Sequence, residues 1–270
     1  MTTLGSIWLR ALSAPPVGEA TASPAVRWGS TGDLPGAVLL TITADVGSRF
    51  PRARAGQVGL DQCWAFADLI NGIVEADRIS GRRRAIVVLV DTPGQAYGYR
   101  EELAGIHQGL AAATAAMATA RAAGHPTVAL IVGSAVSGAF LATGLQAGAL
   151  LALDHPDARL AVMSARSTAV ITRRSEAEVE RDECRGPGVS HHIGTLMELG
   201  VLSELIPVTD AWCPTPEDLA AVRAALGAAI AGLGSSPQPE PPGRLDHPAA
   251  RTTRAASIAV RERIWEQWDV

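Results

Sequence analysis

The 270-residue sequence predicts an α/β fold with a mostly parallel sheet. Apolar, β-branched runs alternate with helix-length segments, the pattern of strand–helix–strand units. Those runs are continuous rather than alternating, as expected of strands covered on both faces. A hydrophobic content of 47% against 19% charged marks a folded chain rather than a disordered one, with ample length to bury a core.

The elements follow in order. GAVLLTITA (36–44) reads as a buried strand. SRFPRARAGQVGL then forms a loop carrying Arg49, Arg52 and Arg54, before a helix around Leu60–Ala76. RAIVVLV (84–90) is a second strand. An Ala-rich helix over Glu101–Ala123 is closed by Gly124, with Pro126 beyond it as a stop signal. TVALIV (127–132) is a third strand, followed by a helix around Gly138–Ala147. GALLALD and ARLAVM are short strands, and helices fall around 165–182 and 189–199. SSPQPEPPGR (235–244) is a semi-rigid linker, which divides the chain into a domain over 1–234 and a C-terminal helix over 245–270. In that helix Ile258, Trp265 and Trp268 share a face. Docking on the chain's own core and anchoring another subunit both satisfy this spacing.

A net charge of −4 excludes a basic nucleic-acid footprint. Cys63, Cys184 and Cys213 are odd in number and widely spaced, which argues against a disulfide framework or a zinc site, so no metal is expected and a reducing cytoplasm is the natural compartment. The opening MTTLGSIWLRALSAPP is a poor signal peptide, and no window is apolar enough to span a membrane.

Two turns carry the chemistry. Asp91-Thr92-Pro93-Gly94 closes the second strand, and Gly133-Ser134-Ala135-Val136-Ser137-Gly138 joins the third strand to a helix. The first amides of a helix lack internal acceptors and carry its positive dipole end. With small residues around them, the N–H groups of Gly133, Ser134, Ala135 and Val136 can meet a ligand oxygen, the geometry of an oxyanion hole. A tight strand-to-helix turn and a plain turn with Asp first would look the same. The two occur together at consecutive strand ends, where open α/β sheets place their ligands.

VDTPGQAYG, a long helix, and GHPTVALIVGSAVSGAFLATG resemble the carboxyltransferase branch of the crotonase/ClpP-like superfamily. FPRARAGQVGL and LLALDHPDARLAVMSARSTAVIT are similar to the gamma-subunit family of biotin-independent malonate decarboxylases. The resemblance covers about residues 35–210. It implies a crotonase-type fold of repeated β-β-α units and an active site shared with a homologous beta-type subunit. The implied reaction is decarboxylation of malonyl-acyl carrier protein to acetyl-acyl carrier protein and CO2. The carrier's CoA-like prosthetic arm would bring the thioester, and this chain would bind no cofactor itself. The candidate substrate-binding positions are Thr92, Pro93, Gly94, Gln95, Ser137 and Gly138 of the two turns, and Arg52 and Arg54, whose glycine-containing loop leaves them accessible either to meet phosphates or as a solvated basic loop. Biotin-dependent members carry two glycines where this chain has Ala135 and Val136, and the β-branched Val136 crowds a bicyclic ligand. That disfavours biotin.

Other residues read more simply. Ser137 fits a helix cap better than a peptidase nucleophile, because the segment around His155 lacks the matching pattern. His191 and His192, adjacent on a helix, point about 100° apart and do not share a metal. Tyr97, Tyr99 and Arg100 either steer an anionic arm or are solvated loop residues. Two rivals stay open: the alpha-type half of a biotin-dependent acyl-CoA carboxyltransferase, and a non-catalytic scaffold that recruits the carrier.

Overall fold

Continuous apolar runs become the centre of one eight-stranded sheet. The computed structural model describes residues 2–18, 22–34, 36–183, 192–238 and 247–268. The strands are β1 (Ala14–Gly18), β2 (Val26–Ser30), β3 (Val38–Ile42), β4 (Ile86–Thr92), β5 (Thr127–Val136), β6 (Ala149–Asp154), β7 (Arg159–Ala161) and β8 (Glu204–Pro207). Their order is β1-β2-β3-β4-β5-β6-β8, with β7 paired to the far end of β5. Pairing is antiparallel from β1 to β3 and parallel throughout the rest.

All five residues of β3 are buried, as are the first five of β4. Both faces of these strands are therefore covered, which is why their sequences do not alternate. The helices are α1 (Leu4–Leu12), α2 (Pro51–Arg54), α3 (Leu60–Ser80), α4 (Tyr99–Leu103), α5 (Ile106–Ala122), α6 (Ser137–Ala142), α7 (Ala165–Thr172), α8 (Glu176–Glu183), α9 (Ile193–Met197), α10 (Pro216–Leu233), α11 (Pro248–Thr253) and α12 (Ala255–Trp268). α1 packs on β3, β4 and β5, beside α10, while α3 and α5 pack on each other. The latter two approach closely at Gly109, where a Cβ would lie 3.1 Å from Cys63 Cβ. Each large apolar side chain fully buried here, such as Leu39, Ile86 or Leu130, contributes about 1.5–3 kcal/mol.

Several elements depart from the sequence expectations. The helix expected over 101–123 is broken: Gly105 adopts a left-handed φ of +83°, separating α4 from α5. The third strand does not stop at Val132 but continues to Val136. The helix expected over 165–182 is split where Arg173 turns left-handed, and the one over 189–199 reduces to α9 among the described residues. Trp265 and Trp268 do not dock on the chain's own core: they are 57% and 80% exposed, and no residue of α12 is buried. Residues 239–244 of the expected linker and 245–246 of the expected C-terminal helix, with Cys184 and His191, lie outside the described residues.

α1 and α10 were not anticipated, although both carry capping signals. Thr3 and Ser6 cap α1 reciprocally, and Trp8 is buried with its indole N–H on the carbonyl of Ala211 at 3.0 Å. Thr215 and Asp218 do the same for α10, with Pro216 at its first turn. Among the described residues no helix is long and apolar enough to cross a membrane.

Candidate functional site

β4 and β5 run side by side from Ile86↔Thr127 to Val90↔Ile131, and the next pair is Thr92↔Ala135. Two steps along β4 therefore face four along β5, and the surplus bulges at residues 132–134, opposite Asp91. At the same place β5 changes neighbour. Its partner on that side is β6 up to Ile131↔Ala152 and β7 from Ser134↔Arg159 onward. Bulges of this kind bend a strand and re-aim its groups beside functional sites.

Asp91 sits in the notch the bulge makes. Its Oδ1 accepts the Ser134 N–H at 3.2 Å and its Oδ2 accepts the Gly5 N–H, in the first turn of α1, at 3.1 Å. Gly133 has to be glycine here, because a Cβ would stand 2.2 Å from Asp91 Oδ1.

Gln95 ties the two turns together, its Oε1 accepting the Gly138 N–H at 2.9 Å. The loop after α2 buttresses the first turn: Val58 N–H donates to the Gly94 carbonyl at 2.9 Å, and Ala96 N–H donates to the Val58 carbonyl at 2.7 Å. Gly94, at φ +141°, faces the second turn so closely that a Cβ would lie 3.9 Å from Ser137 Cβ. Ser137 itself is a non-glycine residue in the left-handed region, at φ +61°. That conformation costs about 1–2 kcal/mol, and such strain clusters where function demands a geometry. Its hydroxyl donates to the Val162 carbonyl at 3.2 Å.

Buried polar atoms without partners gather around the first turn: Thr92 Oγ1, Gln57 Oε1 and Glu101 Oε1. Arg52 lies 4.6 Å over the Tyr97 ring, at the edge of that turn. Arg54 is engaged differently, its Nε–H donating to the Ser48 carbonyl at 2.7 Å.

The structure thus brings Thr92, Pro93, Gly94 and Gln95 against Gly133, Ser134, Ala135, Val136, Ser137 and Gly138, with Arg52 reached through Tyr97. One of the amides expected to be open is engaged, Ser134 by Asp91, and the amide of the substrate-binding candidate Gly138 is taken by Gln95. Ala135 and Val136 are strand residues paired with Leu160 and Ala161. His155 meets Asp157, with 3.7 Å between ring nitrogen and carboxylate. In the sequence Asp91 is no more than the first residue of a turn, and nothing local marks its link to Gly5, 86 residues away.

Residues 53–268 match the family model MdcE, malonate decarboxylase gamma subunit. A curated relative, the malonyl-S-ACP:biotin-protein carboxyltransferase MADD of Malonomonas rubra, is 34% identical over 182 residues, 66% of this chain. The match spans 62% of that relative's own length. Among solved structures, a Pseudomonas malonate decarboxylase hetero-tetramer in complex with coenzyme A contains a chain 38% identical to this one. Its TM-score is 0.91, covering 99% of this chain and 100% of that one. A Pseudomonas malonate decarboxylase MdcD-MdcE hetero-dimer matches at 38% identity and a TM-score of 0.88, with the same coverage.

Proposed function

The chain belongs to the malonate decarboxylase gamma-subunit family, and from that premise we propose that it acts with a homologous beta-type subunit to decarboxylate malonyl-acyl carrier protein to acetyl-acyl carrier protein and CO2. In this reading the carrier's CoA-like prosthetic arm delivers the thioester, this chain holds no cofactor of its own, and the complex works in the cytoplasm. The observation that carries it is the meeting of the two turns at the ends of β4 and β5, beside exposed apolar groups. Tyr97, Tyr99 and Val162 are 47%, 82% and 66% exposed, and offer a face for the partner that completes the cleft.

Decarboxylation breaks the bond between the carboxylate and the α-carbon, leaving its electron pair on that carbon and, by resonance, on the thioester oxygen. Fixed N–H donors stabilise that oxygen, each contributing roughly 2.7–4 kcal/mol to the transition state. With Ser134 committed to Asp91, and Ala135 and Val136 held in the pairing with β7 and β4, the donor of this chain is sought at Gly133, and the partner subunit supplies the rest. Thr92, Pro93, Gly94, Gln95, Ser137 and Gly138 line the approach, and Arg52, with Arg54 behind it, meets the anionic groups of the arm. A proton then replaces CO2 on the α-carbon.

One observation favours a second reading: the Malonomonas rubra relative is named a biotin-protein carboxyltransferase. Transfer to biotin requires a bicyclic ligand to pass the half-buried Val136. Co-expression with the beta-type partner and measurement of CO2 released from malonyl-carrier protein, with and without avidin, separates the two. Release indifferent to avidin is expected. Inhibition by avidin moves the assignment to carboxyl transfer, and an assembled complex that releases no CO2 refutes decarboxylation.

A further inference from the structure

We infer that Asp91 is the positioning residue of the bulged turn: its carboxylate sets the direction of the peptide between Gly133 and Ser134, and through it the amides that follow. The bulge explains the need. Where β5 runs four steps against two of β4, a backbone N–H loses its ladder acceptor, and a buried amide left without one is costly. Asp91 supplies the acceptor from a side chain, and a carboxylate makes the stronger kind of hydrogen bond.

The carboxylate is itself fixed from three directions. Oδ1 takes Ser134 N–H, Oδ2 takes Gly5 N–H, and the space beside Oδ1 is kept open by Gly133. Gly5 also has no room for a side chain, since a Cβ there would lie 2.4 Å from Thr41 Oγ1. The negative charge faces the first turn of α1, where the helix dipole favours an anion. Because a trans peptide is planar, holding Ser134 N–H inward turns the Gly133 carbonyl the opposite way. The next residues, Ala135 and Val136, then enter pairing with β7 in a single orientation. Asp91 touches no reacting atom in this scheme; it acts through the bulged backbone at Gly133 and Ser134 that it holds. The role rests on the decarboxylase reading only for its catalytic consequence.

The test uses Asp91→Asn and Asp91→Ala in the full chain and in the complex with its beta-type partner. Asn has one accepting oxygen and presents its NH2 to the other amide, so it loses one of the two contacts whichever way it is turned. Ala loses both. In the isolated full chain, hydrogen exchange is expected to speed up at least roughly ten-fold at either the Ser134 or the Gly5 amide in Asp91→Asn, and at both in Asp91→Ala. In the complex, kcat is expected to fall roughly ten-fold for Asn and roughly a hundred-fold for Ala, with KM held within about three-fold. Unchanged exchange in both variants overturns the inference. So does faster exchange with unchanged kcat, which would leave Asp91 a purely structural clip, or a loss of kcat that tracks dissociation of the complex. If Asp91→Ala does not fold, Asp91→Asn decides alone. A wild-type complex that releases no CO2 refutes the decarboxylase reading instead, and the exchange measurement still decides whether Asp91 holds Ser134.

Discussion

Replacing Gly133 by alanine puts the packing around Asp91 to a quantitative test. The new Cβ would arrive 2.2 Å from Asp91 Oδ1 and 2.7 Å from its Cγ, so the contact with oxygen has to open by about 1 Å to reach ordinary carbon–oxygen separation. Backbone on both sides is held in the sheet, which leaves the carboxylate as the part that moves. It then loses its bonds to Ser134 at 3.2 Å and Gly5 at 3.1 Å. Hydrogen bonds to charged groups contribute about 1.5–3 kcal/mol each, so the ceiling is about 3–6 kcal/mol. Asp91 is partly exposed and regains some hydration, which lowers the expected loss to about 2–4 kcal/mol. For a chain of this size that is a fall in Tm of roughly 4–8 °C. The same substitution in an Asp91→Ala background meets only the Cβ, at 3.3 Å, and is expected to cost under about 1 kcal/mol. Denaturant unfolding of the two single variants and the double variant measures the coupling. Additive losses, or a Gly133→Ala chain as stable as wild type, would refute the reasoning.

Three further outcomes follow from other parts of the molecule. His125 is buried, its pKa lowered mainly by desolvation; Nδ1 lies 2.9 Å from the Arg84 carbonyl and so carries the proton, while Nε2 is buried without a partner. Folded His125 thus stays neutral while the unfolded chain takes up a proton below about pH 6.5, so stability falls with pH below that point by up to about 1.4 kcal/mol per unit; unfolding midpoints of wild type and His125→Gln should converge as pH drops, and parallel curves would count against it. Burial pushes the Cys63 thiol up to about 12, whereas Cys213 is exposed; alkylation at pH 8 followed by peptide mass mapping should label Cys213 and spare Cys63. At Ser137, with φ +61°, both Ala and Gly lose the hydroxyl bond but only Gly relieves the backbone, so Ser137→Gly should exceed Ser137→Ala in stability by about 1 kcal/mol by denaturant midpoint, and the reverse order would contradict that backbone geometry.

Much of the fold was determined by sequence alone, because burial on both faces writes itself into a strand as an unbroken apolar run. β3, β4, β5 and β6 were each legible this way, as were α3 and the bulk of α5. The Thr3/Ser6 and Thr215/Asp218 capping patterns were present too, but α1 and α10 went unread, since such short polar patterns also occur in turns. The Gly105 break was hidden by the Ala-rich helix around it, which tolerates a glycine in pattern and not in conformation. The site divides along the same line. The two turns are visible as glycine-rich punctuation at strand ends, whereas the contact that joins them, Gln95 on the Gly138 amide, is not. The bulge, the capture of Ser134 by Asp91, and the tie from Asp91 to Gly5 were decided only in three dimensions. Periodicity and turn chemistry are properties of neighbouring residues, whereas a carboxylate's acceptors are set by whichever amides the sheet leaves unpaired, 43 and 86 residues away along the chain.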